Sequence, residues 1–281
     1  MSPTTEPADD QGRVQSSVAG AADAMSIVMP TLNQAAYIDR ALDSILSQTR
    51  DFPLECVVVD GGSSDRTLDI LAGYGDSIRW TSKPDKGQSD ALNRGLALAR
   101  GAVMGWLNSD DAYEPGALQL VVDVFRAEEA TQWVYGKVRI IDEHDREMRR
   151  WVTAYKNMRM RRFSYVKLLR ENWISQMGVF WRRSAFEAVG PFDAELHMAM
   201  DYDYWLRLAR NWPGRFIDAD LADFRWCATS KSGTGFPEQF AEELRVAAQH
   251  AGGEHRWSLA VHRLYVARTV GAYQLLRLLR R

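Results

Sequence analysis

Residues 54–65 read LECVVVDGGSSD, the pattern of a short buried strand that ends in a tight turn. The apolar run of residues 54–59 stops at Asp60, and two glycines and two serines follow it. Asp65 and Thr67 then open a helix. A strand, a polar turn and a helix in that order form the repeating unit of parallel α/β sheets.

The same unit recurs on both sides of this stretch. Further strands are predicted at residues 26–29, 78–81 and 103–107, and further helices at residues 38–46, at residues 89–99 and from Pro115 onward. Pro30 follows the first of these strands and is expected to stop it. Because strand and helix alternate for roughly a hundred residues, we predict an α/β fold with a mainly parallel, Rossmann-like sheet flanked by helices.

The second half of the chain has a less regular pattern. Strands are predicted at residues 133–141 and 177–181, a helix at residues 201–209, and helix again after Gly235. Residues 1–24 carry acidic and small side chains without an apolar segment, so we expect them to form a flexible tail.

Composition and charge narrow the class of protein. The chain has 281 residues, of which 46% are hydrophobic and 26% charged, and this is a globular composition. A formal net charge of −2 gives no general attraction to nucleic acid, so no nucleic-acid partner is expected. Two cysteines provide no disulfide framework, and no apolar stretch approaches the roughly 18 residues of a membrane span. We therefore expect a cytoplasmic protein.

Three polar clusters follow predicted strands: Pro30-Thr31, Asp60, and residues 108–111 with the sequence Asn-Ser-Asp-Asp. The carboxyl ends of parallel strands meet at one edge of a sheet, and ligands bind in the crevice beyond that edge. The adjacent carboxylates of the last cluster suit a hard divalent ion such as Mg²⁺ or Mn²⁺, completed by phosphate oxygens. A loop that caps the next helix is an equal alternative.

Two further segments carry groups that are useful for catalysis. Lys86 lies where a helix begins, and its charge and the helix N-terminus would together help to neutralise a diphosphate. A solvated loop with a capped helix explains the same residues. Asp201 begins a later helix, where it is either an N-cap or the general base for a hydroxyl in a partly desolvated site.

Taken together, these segments resemble the family 2 glycosyltransferases with the GT-A fold, over about residues 25 to 232. The matching motifs, in chain order, are Pro30-Thr31-Leu32-Asn33, Val58-Val59-Asp60-Gly61-Gly62-Ser63-Ser64-Asp65, Pro84-Asp85-Lys86-Gly87, Asp90-Ala91-Leu92-Asn93-Arg94-Gly95, Trp106-Leu107-Asn108-Ser109-Asp110-Asp111 and Met200-Asp201-Tyr202-Asp203-Tyr204-Trp205-Leu206-Arg207. Each motif alone is weak, but their order and spacing are those of the family.

The resemblance implies an inverting enzyme that moves a sugar from a nucleotide diphosphate, above all UDP, to an acceptor hydroxyl. A saccharide or a lipid-linked saccharide is the implied acceptor, in polysaccharide, O-antigen or glycolipid assembly, and Mn²⁺ or Mg²⁺ is the implied cofactor. The same resemblance divides the chain into a nucleotide-sugar-binding half at residues 25–130, an acceptor-binding half with the catalytic base at residues 131–235, and a helical segment at residues 236–281.

The functional residues of the family carry over by position. The implied contacts to the nucleotide sugar are Pro30, Thr31, Asn33, Asp60, Asp85, Lys86, Gly87, Asp90, Asn108, Asp110, Arg225 and Lys231. The metal-binding DxD motif of the family falls on the acidic cluster, where Asp110 or Asp111 is the ligand depending on the register. The general base falls on Asp201. Two departures are Asn108, where many relatives have Asp, and Cys227, where a His often stands.

Two stretches carry only basic charges: residues 149–170 with eight Lys or Arg, and residues 256–281 with six Arg. Basic amphipathic helices can lie on anionic membranes, so one expectation is peripheral contact of the C-terminal segment with the inner face of the membrane. A solvated face over core-packed helices is the commoner outcome for such runs.

Three other classes of protein compete with this interpretation. A sugar nucleotidyltransferase needs a Gly-rich phosphate loop after the first strand, and a dinucleotide-dependent oxidoreductase needs GxGxxG there; residues 30–33 offer neither. A non-catalytic nucleotide-sugar binder fits the lost carboxylate at Asn108 and the Cys at 227, although Asp110, Asp111 and Asp201 count against it.

Overall fold

The computed structural model describes residues 22–227 and 236–279, with side chains over residues 22–227 and 238–271. The strands are β1 (Met25–Thr31), β2 (Leu54–Asp60), β3 (Arg79–Ser82), β4 (Val103–Trp106), β5 (Ala112–Tyr113), β6 (Trp133–Ile141), β7 (Val179–Arg182) and β8 (Arg215–Arg225). The helices are α1 (Ile38–Leu46), α2 (Thr67–Gly73), α3 (Gln88–Leu98), α4 (Ala117–Ala127), α5 (Arg150–Met160), α6 (Tyr165–Arg170), α7 (Arg183–Val189), α8 (Met200–Asn211), α9 (Phe236–Ala251) and α10 (Arg256–Leu279). Residues 1–21 of the predicted tail lie outside the described residues.

The eight described strands form a single sheet in the order β3-β2-β1-β4-β7-β6-β8-β5. The first four strands in that order run parallel, with Thr31 opposite Asp60 and Asp60 opposite Ser82. β7 is antiparallel to both of its neighbours, β6 and β8 are parallel, and β5 is antiparallel to β8. The predicted α/β fold with a mainly parallel sheet is therefore confirmed, and its antiparallel pairs all involve strands of the second half or the short β5.

β1 continues through Pro30 to Thr31, although the sequence predicts a stop at the proline. Pairing with β4 ends at Val28, so beyond that residue β1 is paired only with β2. A proline is tolerated where a strand has an unpaired side, because its missing N–H then leaves no ladder bond unmade. The extra length carries Thr31 to the edge of the sheet beside Asp60.

Helices cover both faces of the sheet and bury two apolar clusters. On one face, α3 packs on β1 and β2, and α8 shares an apolar cluster with residues of β4, β6 and β7. On the other face, α1 and α4 share a second cluster with residues of β1 and β2. Five of the ten tryptophans are buried in the first cluster: Trp106, Trp133, Trp173, Trp181 and Trp205. Half of the abundant tryptophan therefore serves the core.

The C-terminal helices close one side of the second half. α9 packs on α8 and α6, and α10 packs on α9 and α6, so the helical C-terminus predicted after Gly235 is confirmed. Within the described parts of the chain, no helix combines the length and the apolar composition that crossing a bilayer requires.

Candidate functional site

The carboxyl ends of β1, β2 and β4 lie side by side at one edge of the sheet. Thr31 of β1 is paired with Asp60 of β2, and the hydroxyl of Ser109, just past β4, donates to the carbonyl oxygen of Pro30 at 3.4 Å. The three polar clusters predicted at the strand ends therefore come together, as the parallel register requires.

The Asp60 carboxylate is fully buried and organises the turn after β2. Its Oδ2 accepts hydrogen bonds from the backbone N–H groups of Gly62 and Ser63, both at 2.9 Å, and from the Ser82 hydroxyl at 2.6 Å. The Ser63 hydroxyl donates to Oδ1. Gly62 has a φ of 93°, in the left-handed region that favours glycine. Both carboxylate oxygens thus accept hydrogen bonds from neighbouring protein groups. A direct nucleotide contact by Asp60 stays a prediction.

Thr31 presents a buried hydroxyl at the end of β1. The residue is 5% exposed, and its Oγ1 has no hydrogen-bond partner among the described residues. Leaving such a group unpaired costs about 1–3 kcal/mol, which a ligand or water would offset. Asn33 lies beside it with a φ of 53°, and its backbone N–H donates to the Ser63 hydroxyl at 2.7 Å. The end of β1 thus offers a fixed, unsatisfied polar atom to a ligand.

The loop between β3 and α3 brings Asp85 against the turn after β2. A Cβ atom on Gly61 would lie 2.5 Å from Asp85 Oδ2, so this close approach needs glycine. Asp85 Oδ1 accepts from the backbone N–H of Gly87 at 2.8 Å, and Asp90 Oδ2 accepts from the backbone N–H of Lys86 at 3.0 Å. The Lys86 side chain is exposed at the start of α3. Asp85 and Asp90 therefore shape the loop, while the cation of Lys86 faces solvent.

The acidic cluster does not cap the next helix. The N-cap of α4 is Gly116, and no side chain caps that helix. Asp111 is 1% exposed, and its two oxygens accept from the backbone N–H of Arg225 at 2.9 Å and from Asn108 Nδ2 at 3.1 Å. Asn108 Oδ1 in turn accepts from Gln88 Nε2 of α3 at 2.7 Å. Asp111 and Asn108 are thus committed to protein hydrogen bonds.

Asp110 is the more available carboxylate of the pair. It is half-buried, and no side chain of the described residues donates to its carboxylate. Burial raises the pKa of Asp110, with the charge of Arg225 opposing it. Burial also raises the pKa of Asp111 well above its ordinary value, and the charge of Asp110 adds to it. The charge of Arg225 offsets the burial of these two adjacent carboxyl groups only in part, which is a setting that a divalent cation would relieve further.

A metal would have to be held by few protein ligands. Among the residues that the structure describes, no group of three or more His, Cys, Asp or Glu side chains converges on one point. Mg²⁺ and Mn²⁺ are commonly held by one or two carboxylates and completed by phosphate oxygens and water. Asp110 fits that mode of binding because its carboxylate is unclaimed by neighbouring side chains.

Arg225 lies behind the acidic cluster and holds it in place. The residue is 2% exposed, its Nε donates to the carbonyl oxygen of Asp110 at 2.9 Å, and its Nη1 donates to that of Asp142 at 2.7 Å. Its guanidinium also stacks 4.7 Å from the ring centroid of Tyr37. A diphosphate contact by Arg225 stays a prediction, and Lys231 lies outside the described residues.

Asp201 lies in the first turn of α8 but does not cap it. α8 begins at Met200 with Ala199 as its N-cap, so the N-cap alternative is wrong. Asp201 is half-buried, and its Oδ1 accepts from the backbone N–H of Tyr202 at 2.7 Å. Burial raises the pKa of Asp201 to about 6, although the Tyr202 N–H and the charge of Lys156 oppose it. A carboxylate of this basicity is well matched to general-base work near neutral pH.

Asp203 is held quite differently, two residues further along α8. Its carboxylate lies 2.7 Å from His250 Nε2 and accepts from Arg207 Nε at 2.9 Å. Burial would raise the pKa of Asp203, but these two partners hold it below its ordinary value. Of the two carboxylates in this motif, only Asp201 therefore combines a raised pKa with the absence of a side-chain hydrogen-bond partner among the described residues.

Lys156 and Glu243 surround Asp201 with further buried charge. Lys156 projects from α5, and its Nζ donates to the Ser175 hydroxyl at 3.2 Å. Burial lowers the pKa of Lys156, with the charges of Glu243 and Asp201 opposing it. Glu243 of α9 is 3% exposed; burial raises its pKa to about 7, and a hydrogen bond from Gln239 lowers it. Asp201 and Glu243, whose pKa values are both raised toward neutrality, thus both interact with the charge of Lys156.

Glu242, the neighbour of Glu243, fixes the segment that leads into α8. Its Oε2 accepts hydrogen bonds from three successive backbone N–H groups, those of His197 at 3.0 Å, Met198 at 2.5 Å and Ala199 at 2.7 Å. α9 therefore anchors the start of the helix that carries Asp201.

α3 joins the strand-end edge to the segment before α8. The Ser89 hydroxyl donates to the carbonyl oxygen of Leu196 at 2.9 Å, and Asn93 Nδ2 donates to that of Phe192 at 2.8 Å. A Cβ atom on Gly87 would lie 4.0 Å from His197 Nδ1. The loop of Asp85 therefore lies next to the segment that leads into the Asp201 helix.

Sequence reasoning missed Lys156, Glu242 and Glu243. No helix was predicted at residues 150–160, so the inner position of Lys156 had no signal. The adjacent carboxylates at 242 and 243 did carry one, because two neighbouring positions of an amphipathic helix cannot both face solvent at the centre of its polar side.

Comparison with known proteins extends the description. The model of the family "Glycosyl transferase family 2" matches residues 26–190. A "PGL/p-HBAD biosynthesis glycosyltransferase" of Mycobacterium bovis (strain BCG / Pasteur 1173P2) is 32% identical over 264 residues, which cover 89% of this chain and 97% of that protein. An uncharacterized glycosyltransferase of Rickettsia felis is 29% identical over 245 residues, 85% of this chain and 38% of that protein.

Two solved structures have a similar fold. TarS 1-349 of S. aureus in complex with UDP-GlcNAc has a TM-score of 0.65 at 20% identity, covering 85% of this chain and 70% of that one. The mannosyltransferase PcManGT of Pyrobaculum calidifontis in complex with GDP-Man and Mn²⁺ has a TM-score of 0.59 at 17% identity, covering 90% of this chain and 80% of that one.

Proposed function

Because this chain is a glycosyltransferase that belongs to glycosyl transferase family 2 and has the GT-A fold, we propose that it inverts the transferred sugar, with Asp201 as the general base. The observation that carries the proposal is the state of Asp201. Its carboxylate is half-buried and its pKa is raised by burial to about 6, and the segment that leads into its helix is hydrogen-bonded to α3 through Ser89.

The donor is a nucleotide-diphosphate sugar, for which we propose UDP as the nucleotide. The unpartnered hydroxyl of Thr31 and the turn held by Asp60 would receive the nucleoside, with Asp85 at its side. The exposed Lys86 at the start of α3 would approach the diphosphate, since a cation and a helix N-terminus both favour phosphate. TarS and PcManGT are each described in complex with a nucleotide sugar, which supports this class of donor.

The proposed cofactor is Mn²⁺ or Mg²⁺, with Asp110 as its protein ligand. Asp110 has the free carboxylate, whereas Asp111 is engaged by Arg225 and Asn108. When bound, the cation supplies positive charge for the leaving diphosphate. The chain contributes by holding Asp110 in place through the hydrogen bond from Arg225 Nε to its carbonyl oxygen.

The reaction is a single displacement. The acceptor oxygen bonds to the anomeric carbon as the bond from that carbon to the phosphate oxygen breaks, and Asp201 takes the hydroxyl proton. The acceptor cleft would lie beside α5, where Thr153 Oγ1, Asn157 Oδ1 and Asn172 Oδ1 are buried without a partner among the described residues. Buried, unpaired oxygens at that place suit the hydroxyls of a saccharide or of a lipid-linked saccharide.

Replacement of Asp201 by Asn tests the assignment. Asp201→Asn should lower the turnover of UDP-sugars with Mn²⁺ by about 10²–10⁴, because the base is lost while the donor site is intact. Release of UDP measures turnover, and the shift of the unfolding temperature by UDP measures donor binding. Near-wild-type turnover in a folded Asp201→Asn chain would show that the base lies elsewhere.

A non-catalytic nucleotide-sugar binder is the second candidate. It is favoured by Asn108, whose side chain is hydrogen-bonded to Gln88 and Asp111 where a metal-binding carboxylate is common. The two candidates differ in one measurement: a binder shows the thermal shift with UDP-sugars but releases no UDP from any donor or acceptor offered.

We further propose that the enzyme works in the cytoplasm. Its two cysteines, Cys56 in the buried core and Cys227, are not joined by a disulfide, and this pattern is usual where thiols stay reduced.

A further inference from the structure

The outer side of α5 is apolar although the helix lies on the surface. Trp151 is 75% exposed, Tyr155 41% and Met158 63%, and these residues follow one another at helical spacing. The opposite side of the helix carries the buried Thr153 and the half-buried Lys156. Apolar side chains therefore face solvent and polar ones face the protein, largely the reverse of an ordinary surface helix.

α10 shows the same feature in its described part. Trp257 is 74% exposed and Leu264 61%, two turns apart on one side of the helix. The side that packs on the protein contains Ser258 and His262, which are 3% and 0% exposed. Two helices thus each present a tryptophan to solvent.

α5 and α10 are neighbours on either side of the end of α6. α10 binds α6 through Arg170 Nε, which donates to the Ser258 hydroxyl at 3.4 Å. The Tyr155 hydroxyl of α5 donates to Glu171, directly after α6, at 3.0 Å. Two helices with exposed apolar side chains therefore border the same end of α6, and together they form the surface there.

Positive charge is concentrated around these apolar side chains. All charged residues at 149–170 and at 256–281 are Lys or Arg, whereas the whole chain has a net charge of −2. The exposed arginines that form no salt bridge with any described residue include Arg162, Arg256, Arg263 and Arg268. The surface is thus both aromatic and cationic.

We propose that this surface docks on an anionic lipid bilayer. We call it the Trp–Arg face, formed by Trp151, Tyr155, Met158, Trp257 and Leu264 with the arginines named above. Tryptophan and tyrosine favour the boundary between headgroups and acyl chains, and arginines are attracted to anionic headgroups. A second copy of the chain is a poorer occupant, because a two-fold pairing would place the arginines of both copies against each other.

Docking would also place the catalytic crevice close to the bilayer, a consequence that rests on the proposed function. The inner side of α5 carries Lys156 toward Asp201, so only the thickness of one helix, about 10 Å, separates the headgroups from the base. A lipid-linked saccharide would present its hydroxyl at that depth.

Vesicle flotation of the full chain tests the Trp–Arg face. The vesicles are phosphatidylcholine alone, or phosphatidylcholine with roughly a third phosphatidylglycerol. We expect the chain to float with the anionic vesicles only and to be released by high salt. The double variant Trp151→Ala/Trp257→Ala should lose about tenfold or more in vesicle partitioning, since both interfacial anchors are gone.

The matched control is Leu98→Ala/Leu120→Ala, which removes two exposed apolar side chains from α3 and α4. It should float like the wild type. The unfolding temperature and UDP binding without vesicles should be the same in all three proteins, so a failure of the donor site is seen separately.

Three results would overturn the proposal. These are the absence of flotation, equal flotation of the Trp variant and the wild type, or a wild-type dimer in sedimentation that the Trp variant abolishes. The last result would assign the Trp–Arg face to a second copy of the chain.

Discussion

Lys156 sets the protonation of Asp201 through its charge. Burial raises the pKa of Asp201 to about 6, and the charge of Lys156 keeps it from rising further. Lys156→Met removes that charge, so the pKa should rise and the ionised base should be lost at higher pH than in the wild type. We expect the acidic limb of the profile of kcat against pH to move upward in Lys156→Met and to stay near its original position in Lys156→Arg. If the limb is unmoved in a folded Met variant, Lys156 does not act on Asp201.

Glu243 should make the stability of the fold depend on pH. Burial raises its pKa from 4.5 to about 7, so the folded chain holds this proton more tightly than the unfolded chain. The stability gained from this proton is present at low pH and is lost as the pH rises through the interval between those two values. Glu243→Gln should therefore raise the free energy of unfolding by about 1–3 kcal/mol at pH 8 and change it little at pH 4.

Urea unfolding at the two pH values measures this effect. Glu238→Gln is the matched control, because Glu238 is an exposed carboxylate in the first turn of the same helix. A Glu243→Gln chain that is no more stable than the wild type at pH 8 would mean that the Glu243 carboxylate is well compensated when ionised.

The contact between α9 and α8 fixes the position of Asp201, the proposed base. Glu242 alone accepts three backbone N–H groups ahead of α8 and also pairs with Arg245 at 3.1 Å. Glu242→Ala leaves those N–H groups unpaired, so we expect a loss of about 1–3 kcal/mol in stability. The kcat should fall more than the KM for the donor changes, because the helix that carries Asp201 loses its anchor.

Two other variants separate this anchor from a general effect of charge. Arg245→Ala removes the ion pair but leaves the three N–H bonds, so it should behave like the wild type. Glu242→Gln keeps an acceptor oxygen and should restore much of the activity. Equal defects in the Arg245 and Glu242 variants would assign the role to the ion pair.

β1, β2 and β4 of the parallel half were predictable because they are apolar runs that are largely buried on both faces. β1 is buried over its whole length, and β2 over its last five residues, so composition alone marks them. The polar residues after those runs were also predictable as neighbours at one edge of the sheet, because parallel register places the strand ends together. The hydrogen bonds to the carboxylates of Asp60 and Asp111 were not predictable, because their donors include Ser82 and Arg225, which are distant in sequence.

α5 and β8 were not predictable from periodicity. α5 turns its apolar side outward. A prediction that looks for apolar residues on the buried side of a helix therefore does not find this helix. β8 contains Asp223, 4% exposed, in the middle of an otherwise apolar strand end. That carboxylate is neutralised by Arg139, whose Nε lies 2.9 Å away but 84 residues earlier in the chain. Long-range compensation of this kind leaves no local signal in the sequence.

The continuous sheet joins the two halves of the chain into one body. The four parallel strands that end at the rim lead through β7 and β6 to β8, and Arg225 at the end of β8 returns to bind the acidic cluster. Glu114, just past β5, is likewise paired with Arg139 of β6. A ligand that binds at the rim therefore contacts loops fixed from both halves, and its binding energy should stabilise the chain as a whole.

Ligand-dependent unfolding can decide which carboxylate holds the cation. UDP at a hundred times its dissociation constant should stabilise the fold by about 2.7 kcal/mol, and Mn²⁺ should increase the shift. Asp110→Asn should abolish only the increase that depends on Mn²⁺, as EDTA should in the wild type, because Asp111 is committed to Arg225 and Asn108. The unfolding temperature with UDP, in the presence and absence of Mn²⁺, is the measurement.

Asp111→Ala should behave in the opposite way. It leaves the Arg225 backbone N–H unpaired in a buried place and removes one of the two hydrogen bonds donated by Asn108 Nδ2, so the chain without ligand should lose about 1–3 kcal/mol of stability. A shift that still depends on Mn²⁺ in Asp110→Asn, together with its loss in Asp111→Ala, would reverse the assignment. The ion would then compete with Arg225 for Asp111, and binding the donor would require the acidic cluster to loosen its hold on β8.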